Sequence, residues 1–173
     1  QQRIAQAGLS DRVKVLLCDY RNVTGQYDRI VSVEMLEAVG KSYYPAFFQS
    51  CDHLLKPEGV AVIQTITIPD QRYDAYSKTT DWMRLFIFPG GLLPSLTALT
   101  KVLTEHKSFV VKHVESIGPH YALTLSQWKE RFLANREKIA EMGFPESFIR
   151  RWEYYFSYCQ AGFAQHYIDN LQI

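Results

Sequence analysis

The sequence predicts an α/β protein with a doubly wound sheet, in which helices cover both faces of largely parallel strands. One observation is a series of strand, strand, helix and strand patterns, joined by short links, over residues 13–66. A second is that residues 59–66 (GVAVIQTI) are apolar almost without interruption, which is typical of a strand covered on both faces. A third is the length: 173 residues suffice for one domain with a hydrophobic core, so we expect a single domain over 1–173.

The first half of the chain contains most of the predicted sheet. Residues 1–8 have the pattern of the end of a helix that Gly8 closes. Residues 13–17 are β-branched and apolar, which predicts a buried strand, and residues 27–33 (YDRIVSV) are predicted to form a second strand. Residues 42–55 have a helical apolar rhythm, and the turn signal KPEG separates them from the third strand.

The second half is predicted to be mostly helical, with two further strands. Helices are expected at 70–86, 94–103, 124–142 and 145–165, with Pro94 opening the second helix and Ser126 capping the third. Strands are expected at 108–116 and 167–173, and a loop at 88–91.

Composition narrows the possible functions. The net charge of +1 gives no reason to expect a nucleic-acid partner. The three cysteines are widely spaced and form no CxxC or Cys/His pattern, so we expect neither disulfides nor a metal site. No apolar run approaches the roughly 20 residues that span a bilayer. We therefore expect a cytoplasmic protein.

Candidate ligand-binding residues follow the predicted strands, because ligands of open α/β sheets bind beyond the carboxyl ends of the strands. Asp19 and Tyr20 follow the first strand, where a carboxylate can accept from an adenine amino group and a ring can stack on the base; a simple turn is the alternative. Glu34 and Glu37 follow the second strand. Buried carboxyls at such places often have a raised pKa and serve proton chemistry. The alternative is that both acids begin the next helix.

Three further polar residues lie at or near strand ends. Gln64 is inside the third strand, where its amide either lines a pocket or satisfies a neighbour. His120 and Tyr121 follow the fourth strand and are candidates for side chains that point into a cleft.

Several stretches together resemble the cyclopropane-fatty-acid synthase family, in its order and spacing and over nearly the whole chain. The most specific are FIFPGGLLPS and GPHYALTLSQWKERF, and the others are DRVKVLLCDYR, YDRIVSVEMLEAVG, YYPAFFQSCDHLLKPEGVAVIQTIT and WEYYFSYCQAGF. The resemblance implies a Rossmann-like class I methyltransferase fold that here lacks its first strands. It also implies a helical insert at about 70–107 that forms a lipid pocket.

The resemblance also implies a reaction. A methyl group passes from S-adenosylmethionine to the double bond of an unsaturated phospholipid acyl chain, and loss of a proton closes a cyclopropane. The family holds a bicarbonate ion that takes this proton. By the match of motifs, Glu37, Ile66 and Tyr121 are expected to hold it here, and Gln64 stands where the family has a histidine. Glutamine can hold an anion but cannot titrate, which could shift the product from a ring toward a methyl branch.

The cofactor side departs from the family pattern as well. No GxGxG-like segment occurs in the chain, and this stretch alone is expected to bind the cofactor weakly and to be inactive. Asp19, Tyr20 and Glu34 remain as candidate cofactor contacts.

Substrate and partners are expected from the resemblance. Trp82, Phe86, Phe88 and His120 are candidates for the acyl-chain pocket, although such residues are often ordinary core. Expected partners are phospholipid acyl chains, the membrane surface and a second copy in a homodimer. A small-molecule N- or C-methyltransferase on the same scaffold, and a degenerate lipid-binding module, are the alternatives.

Overall fold

The sheet lies at the centre of the fold and has four strands within the described part of the chain. A computed structural model describes residues 1–106 and 109–173. The strands are β1 (Tyr27–Val33), β2 (Leu55–Thr67), β3 (Glu115–Ser116) and β4 (Asp169–Gln172), in the spatial order β1-β2-β4-β3. β1 and β2 are parallel, whereas β4 is antiparallel to both β2 and β3. The α/β class predicted from the sequence is confirmed, with a mixed sheet. Within the described residues, the expected cover on both faces is absent along β1 and the first part of β2, because Val31, Val33 and Val60 are 69%, 59% and 47% exposed.

Helices connect and cover these strands. In chain order they are α1 (Gln2–Gln6), α2 (Leu36–Val39), α3 (Tyr44–Leu54), α4 (Asp70–Ser77), α5 (Trp82–Phe86), α6 (Leu96–His106), α7 (Gly118–Ala134), α8 (Arg136–Glu141) and α9 (Glu146–Ala164). α2 and α3 form the crossover between the parallel strands β1 and β2, the arrangement that parallel pairing requires.

Two apolar clusters hold the layers together. In the first, buried side chains of α3 and α6, among them Phe47 and Leu99, pack with Ile63 of β2. In the second, Leu125 of α7 packs against Phe156 and Phe163 of α9. The second cluster ties the two long helices to the end of the sheet where β2 and β4 meet, because Ile66 and Ile168 pack against it.

Several predicted elements have the expected bounds. The strand at 27–33 is confirmed, and α3 and α9 differ from prediction by about one turn or less. The turn signal KPEG is a bulge inside β2, because Tyr27 pairs with Leu55 and Arg29 already pairs with Val60. Glu58 lies in this bulge and has a positive φ of +63°.

The strand predicted at 13–17 is wrong. These residues have no regular structure and are exposed, with Leu17 fully open to solvent. A strand needs a neighbour for its backbone hydrogen bonds, and within the described residues β1 pairs only with β2. The strand predicted at 108–116 is reduced to Glu115–Ser116, and its first residue lies outside the described part of the chain.

Three predicted helix features are also corrected. The helix predicted at 124–142 begins at Gly118 and ends at Ala134, so Ser126 lies in its interior and caps nothing. Ser95, not Pro94, precedes α6, and its hydroxyl accepts from the N–H of Ala98. The helix predicted at 70–86 is divided into α4 and α5, with Asp81 capping the second.

Candidate active site

The candidate site lies at the carboxyl ends of β1 and β2. These ends meet because the two strands are parallel, with Val33 paired to Gln64. Glu34 follows β1 directly, Glu37 lies one turn further in α2, and Ile66 is near the end of β2. The topology thus gathers residues that are some 30 positions apart in sequence, as in the hydrogen bond between Ile66 and Glu37, whose separation is 29.

The Glu34 carboxylate is the centre of a hydrogen-bond network. Its Oε1 accepts from Gln64 Nε2 at 3.1 Å and from Asn170 Nδ2 at 2.8 Å. Its Oε2 accepts from the Tyr121 hydroxyl at 2.9 Å. Glu34 has φ +52°, an uncommon conformation for a residue other than glycine and one that tends to occur at functional sites.

Neighbouring strands hold the donors of this network in place. Gln64 lies opposite Gln172 in the β2–β4 pair, and Gln172 Nε2 donates to Gln64 Oε1 at 2.9 Å. Asn170 is completely buried and lies two residues from Gln172, on the same face of β4. Asn170 and Gln172 are not among the site residues predicted from the sequence; the signal available was their polar side chains at alternate positions of a predicted strand.

Glu37 is the second carboxyl of the site and differs from Glu34 in its environment. Burial raises the pKa of Glu37. The Ile66 N–H, which donates to Oε1 at 2.5 Å, lowers this pKa but does not cancel the effect of burial. The nearby Glu34 carboxylate raises the pKa further. Its Oε2 is buried and has no hydrogen-bond partner among the described residues. Glu37 is therefore suited to carry a proton on Oε2.

Tyr121 reaches the site from the first turn of α7. The start of this helix is fixed at Gly118, whose N–H donates to Asp169 Oδ1 at 3.1 Å. A Cβ on Gly118 would come within 2.3 Å of that oxygen, so any larger residue would have to displace the Asp169 carboxylate. Burial, and then the neighbouring Glu34 carboxylate, raise the pKa of Tyr121 well above its usual range. The phenol therefore stays protonated and acts as a donor.

A largely apolar cavity of about 910 Å³ opens beside these groups. Glu34, Glu37, Ile66 and Tyr121 line one part of it. The remaining wall comes from α5, from the segment between α5 and α6 and from α9, and includes Met83, Ile87, Phe88, Leu92, Tyr155, Tyr158, Cys159 and Phe163. Its size is that of pockets that enclose a small organic ligand.

The other predicted pocket residues are placed differently. Phe88 lines the cavity, but Trp82, Phe86 and His120 do not. Trp82 packs against Tyr154 of α9 with ring centroids 4.5 Å apart, and Phe86 lies beside Trp82. His120 is exposed on α7. Gln64 does not line the cavity either, and acts on it through Glu34.

Asp19 and Tyr20 also do not line the cavity. Arg21 donates to both oxygens of Asp19, at 2.9 and 2.7 Å, and this lowers the pKa of Asp19 to about 2. Tyr20 packs edge-on against Phe47 with centroids 5.8 Å apart. Both residues have local partners that fit the alternative of a simple turn, and their cofactor role stays a prediction.

The described residues contain neither a metal-binding group nor a membrane-spanning helix. No group of three or more His, Cys, Asp or Glu side chains in 1–106 and 109–173 is arranged to hold a metal ion. Over the same residues, none of the helices has the length and apolar character needed to cross a bilayer.

Comparison with known proteins places the chain in context. The family model described as mycolic acid cyclopropane synthetase matches residues 1–173. The tuberculostearic acid methyltransferase of Mycobacterium tuberculosis is 46% identical over 99% of this chain. The cyclopropane-fatty-acyl-phospholipid synthase of Escherichia coli K12 is 38% identical over all of it. The chain spans only 40% and 44% of the lengths of these two relatives.

A solved structure agrees with this comparison. A crystal structure of a mycolic acid cyclopropane synthase complexed with SAH and CTAB superposes with a TM-score of 0.82 at 29% identity. The match covers 96% of this chain and 63% of that one. The fold described above is therefore the fold of this group of methyltransferases.

Proposed function

The chain belongs to the mycolic acid cyclopropane synthetase family, and we propose that its protein alkylates the double bond of an unsaturated phospholipid acyl chain, forming a cyclopropane. The observation that carries the proposal is the cavity, whose apolar wall meets two carboxyl groups and a phenol at one place. An acyl chain needs the apolar wall, and a cationic intermediate needs the carboxylates. Few other substrate classes need both in the same cavity.

The residues of this chain fit each part of that reaction. When bound, S-adenosylmethionine supplies an electrophilic methyl group to the alkene. The resulting carbocation is stabilised by the Glu34 carboxylate in a cavity with little polar surface, where an anion acts strongly on a nearby cation. Tyr155 and Phe88 present aromatic rings to the same cavity, and ring faces attract cations.

The methyl donor itself fits the described residues at its reactive end. A sulfonium cation is suited to a cavity with the carboxyl groups of Glu34 and Glu37 and the ring of Tyr121. Those residues would hold the methyl-bearing end. The adenosine contacts proposed for Asp19 and Tyr20 lie outside the cavity wall.

A methyl-branched product is the second candidate. It is favoured by the 46% identity to a tuberculostearic acid methyltransferase and by Gln64, which cannot titrate. Both products share the alkylation step and differ in the fate of the carbocation. We further propose that the protein works in the cytoplasm, meets the membrane only at its surface and forms a homodimer.

The test uses the protein at its full natural length. It is incubated with isotopically labelled S-adenosylmethionine and unsaturated phospholipid vesicles, and the fatty acids are analysed by mass spectrometry and NMR. The proposal expects a gain of one methylene, with the NMR spectrum showing a ring. In the Glu34→Gln variant the product should fall by about 100-fold, because this variant loses the carboxylate that faces the developing cation.

Glu58→Gln is the matched control, because Glu58 is exposed in the β2 bulge and should leave the product unchanged. A branch in place of a ring would select the second candidate. Labelled product from an amine panel but not from lipid would indicate a small-molecule methyltransferase. Lipid binding without any transfer would indicate a lipid-binding module.

A further inference from the structure

We infer that the Glu34 carboxylate takes the place of the bicarbonate ion, serving as the proton acceptor and as the anion that faces the carbocation. This inference rests on the proposed function and deepens it. It concerns the groups that the family resemblance assigns to bicarbonate, because each of them already makes a hydrogen bond within this protein.

The first two of these groups are bound to Glu34. Gln64, at the position of the family's histidine, donates to Oε1 at 3.1 Å, and Tyr121 donates to Oε2 at 2.9 Å. Asn170, completely buried in β4, adds a third donor at 2.8 Å. Three donors from three different elements therefore converge on one carboxylate, which is the arrangement expected of an anion-binding site already filled by the protein.

The remaining two groups, the Ile66 N–H and the Glu37 carboxyl, are bound to each other. The Ile66 N–H donates to Glu37 Oε1 at 2.5 Å, so the backbone donor near the end of β2 is used as well. A bicarbonate ion would have to displace Glu34 from Gln64, Tyr121 and Asn170 to gain their hydrogen bonds. The described residues therefore do not fit a bound bicarbonate ion.

The backbone supports the same conclusion. Glu34 is held at φ +52° while its N–H donates to the Gln64 carbonyl at 2.8 Å. A non-glycine residue persists in this conformation only where its surroundings determine it strongly. The conformation aims the carboxylate at its three donors and leaves part of it on the cavity wall.

The two carboxyl groups divide their roles. Burial raises the pKa of Glu37, and its free Oε2 is the natural place for a proton. Glu34 accepts three hydrogen bonds and donates none, as an ionised carboxylate does. Two adjacent carboxyl groups in a small site rarely both carry a negative charge, because like charges repel. A protonated Glu37 beside an ionised Glu34 leaves the site with a single negative charge.

The proposed proton transfer balances without a further reactant. The alkene π pair forms the bond to the incoming methyl carbon while the methyl–sulfur bond breaks and its electron pair stays on the departing sulfur. The positive charge thereby moves from sulfur to the neighbouring alkene carbon. A C–H pair of the added methyl group then closes the ring, and its proton goes to a Glu34 oxygen. Because this proton leaves a carbocation, a carboxylate is basic enough to accept it. Glu34 is half-buried and returns the proton to water after the product leaves.

The experiment measures lipid alkylation by the full-length protein in carbon dioxide-free buffer, with and without added bicarbonate. Wild type should turn over equally in both buffers. Glu34→Gly removes the carboxylate and opens its place, so turnover should fall by about 100-fold without bicarbonate and recover at least partly when it is added. Glu34→Gln removes the charge but keeps the space filled, so it should be equally slow and not recover.

A matched control and a binding measurement complete the design. Glu58 also has a positive φ, of +63°, but it is exposed in the β2 bulge. Glu58→Gly should keep wild-type turnover in both buffers. Added bicarbonate should raise the melting temperature of Glu34→Gly, because a ligand stabilises the state that binds it, and should leave those of wild type, Glu34→Gln and Glu58→Gly unchanged at constant ionic strength.

The outcomes separate this inference from the proposed function. Wild-type product that depends on bicarbonate, or wild-type turnover in Glu34→Gly without bicarbonate, would overturn the inference and leave lipid alkylation standing. A Glu34→Gly variant that folds but neither binds bicarbonate nor recovers would also overturn it. Absence of any alkylated lipid from wild type in both buffers would overturn the proposed function and the inference with it.

Discussion

Glu37 combines burial with a very short hydrogen bond, and its protonation should be visible in the stability of the protein. Burial raises its pKa in the folded state above the ordinary value of 4.5, so the folded protein binds this proton more tightly than the unfolded chain. Stability from this group is therefore full at pH values below 4.5 and is lost as the pH rises through the raised pKa.

The variant Glu37→Gln tests this prediction, because it keeps the shape of the side chain and removes the titration. Relative to the variant, the wild-type free energy of unfolding in urea should decrease as the pH rises above 4.5 and then level off. If the free energies of unfolding of wild type and Glu37→Gln differ by the same amount at every pH in this range, the pKa of Glu37 is not raised by folding.

Gly118 gives a second prediction at the scale of single residues. A Cβ at this position would lie 2.3 Å from Asp169 Oδ1, so Gly118→Ala should lower the free energy of unfolding by about 1–3 kcal/mol, as overpacking does. In an Asp169→Ala background the same change should cost clearly less, which a double-mutant cycle measures. If Gly118→Ala lowers the free energy of unfolding equally in wild type and in Asp169→Ala, the strain does not come from the contact with Asp169.

Individual site residues were predictable from the sequence to different degrees. Glu34 and Glu37 were predictable as site residues because packing does not explain two carboxyl groups at the end of an apolar strand. Asn170 and Gln172 were missed because their role depends on the antiparallel pairing of β4 with β2. That pairing joins residues more than 100 positions apart, as the bond from Gln172 to Gln64 shows with a separation of 108.

Among the elements, α7 and α9 connect the apolar core to the site. Phe163 of α9 is 1% exposed, and its ring centroid lies 4.8 Å from that of Tyr121. Phe163→Ala should therefore cost about 3–5 kcal/mol of stability and should also reduce turnover, because Tyr121 loses its packing partner. Leu123→Ala on the exposed face of α7 is the control and should change little. Similar effects of the two substitutions on stability would contradict this packing.

Elements with their own strong pattern were predicted well, and elements that depend on partners were not. α9 and β1 carry clear helical and strand patterns. Residues 13–17 have an equally clear strand pattern, yet they form no strand, since no neighbouring strand among the described residues pairs with them. A local pattern indicates the tendency of a segment, and pairing decides whether the strand forms.

For the whole molecule, the three cysteines report on the packing of separate regions. Burial raises the pKa of Cys51 to about 11 and that of Cys159 to about 12, whereas Cys18 is exposed. Native protein treated with iodoacetamide at neutral pH should be labelled first at Cys18, with the other two protected until unfolding. Peptide mass spectrometry measures the order, and early labelling of Cys51 would contradict the packing of α3 in the first apolar cluster.

The measurement that tests the account most directly follows the hydrogens of the transferred methyl group. Full-length protein is given S-adenosylmethionine with a fully deuterated methyl group and unsaturated phospholipid vesicles, and the product fatty acids are weighed by mass spectrometry. If a carboxylate in the cavity accepts a proton from the added carbon, the product retains two of the three deuterium atoms. Product that retains all three would show that no proton leaves the added carbon, and would contradict the account.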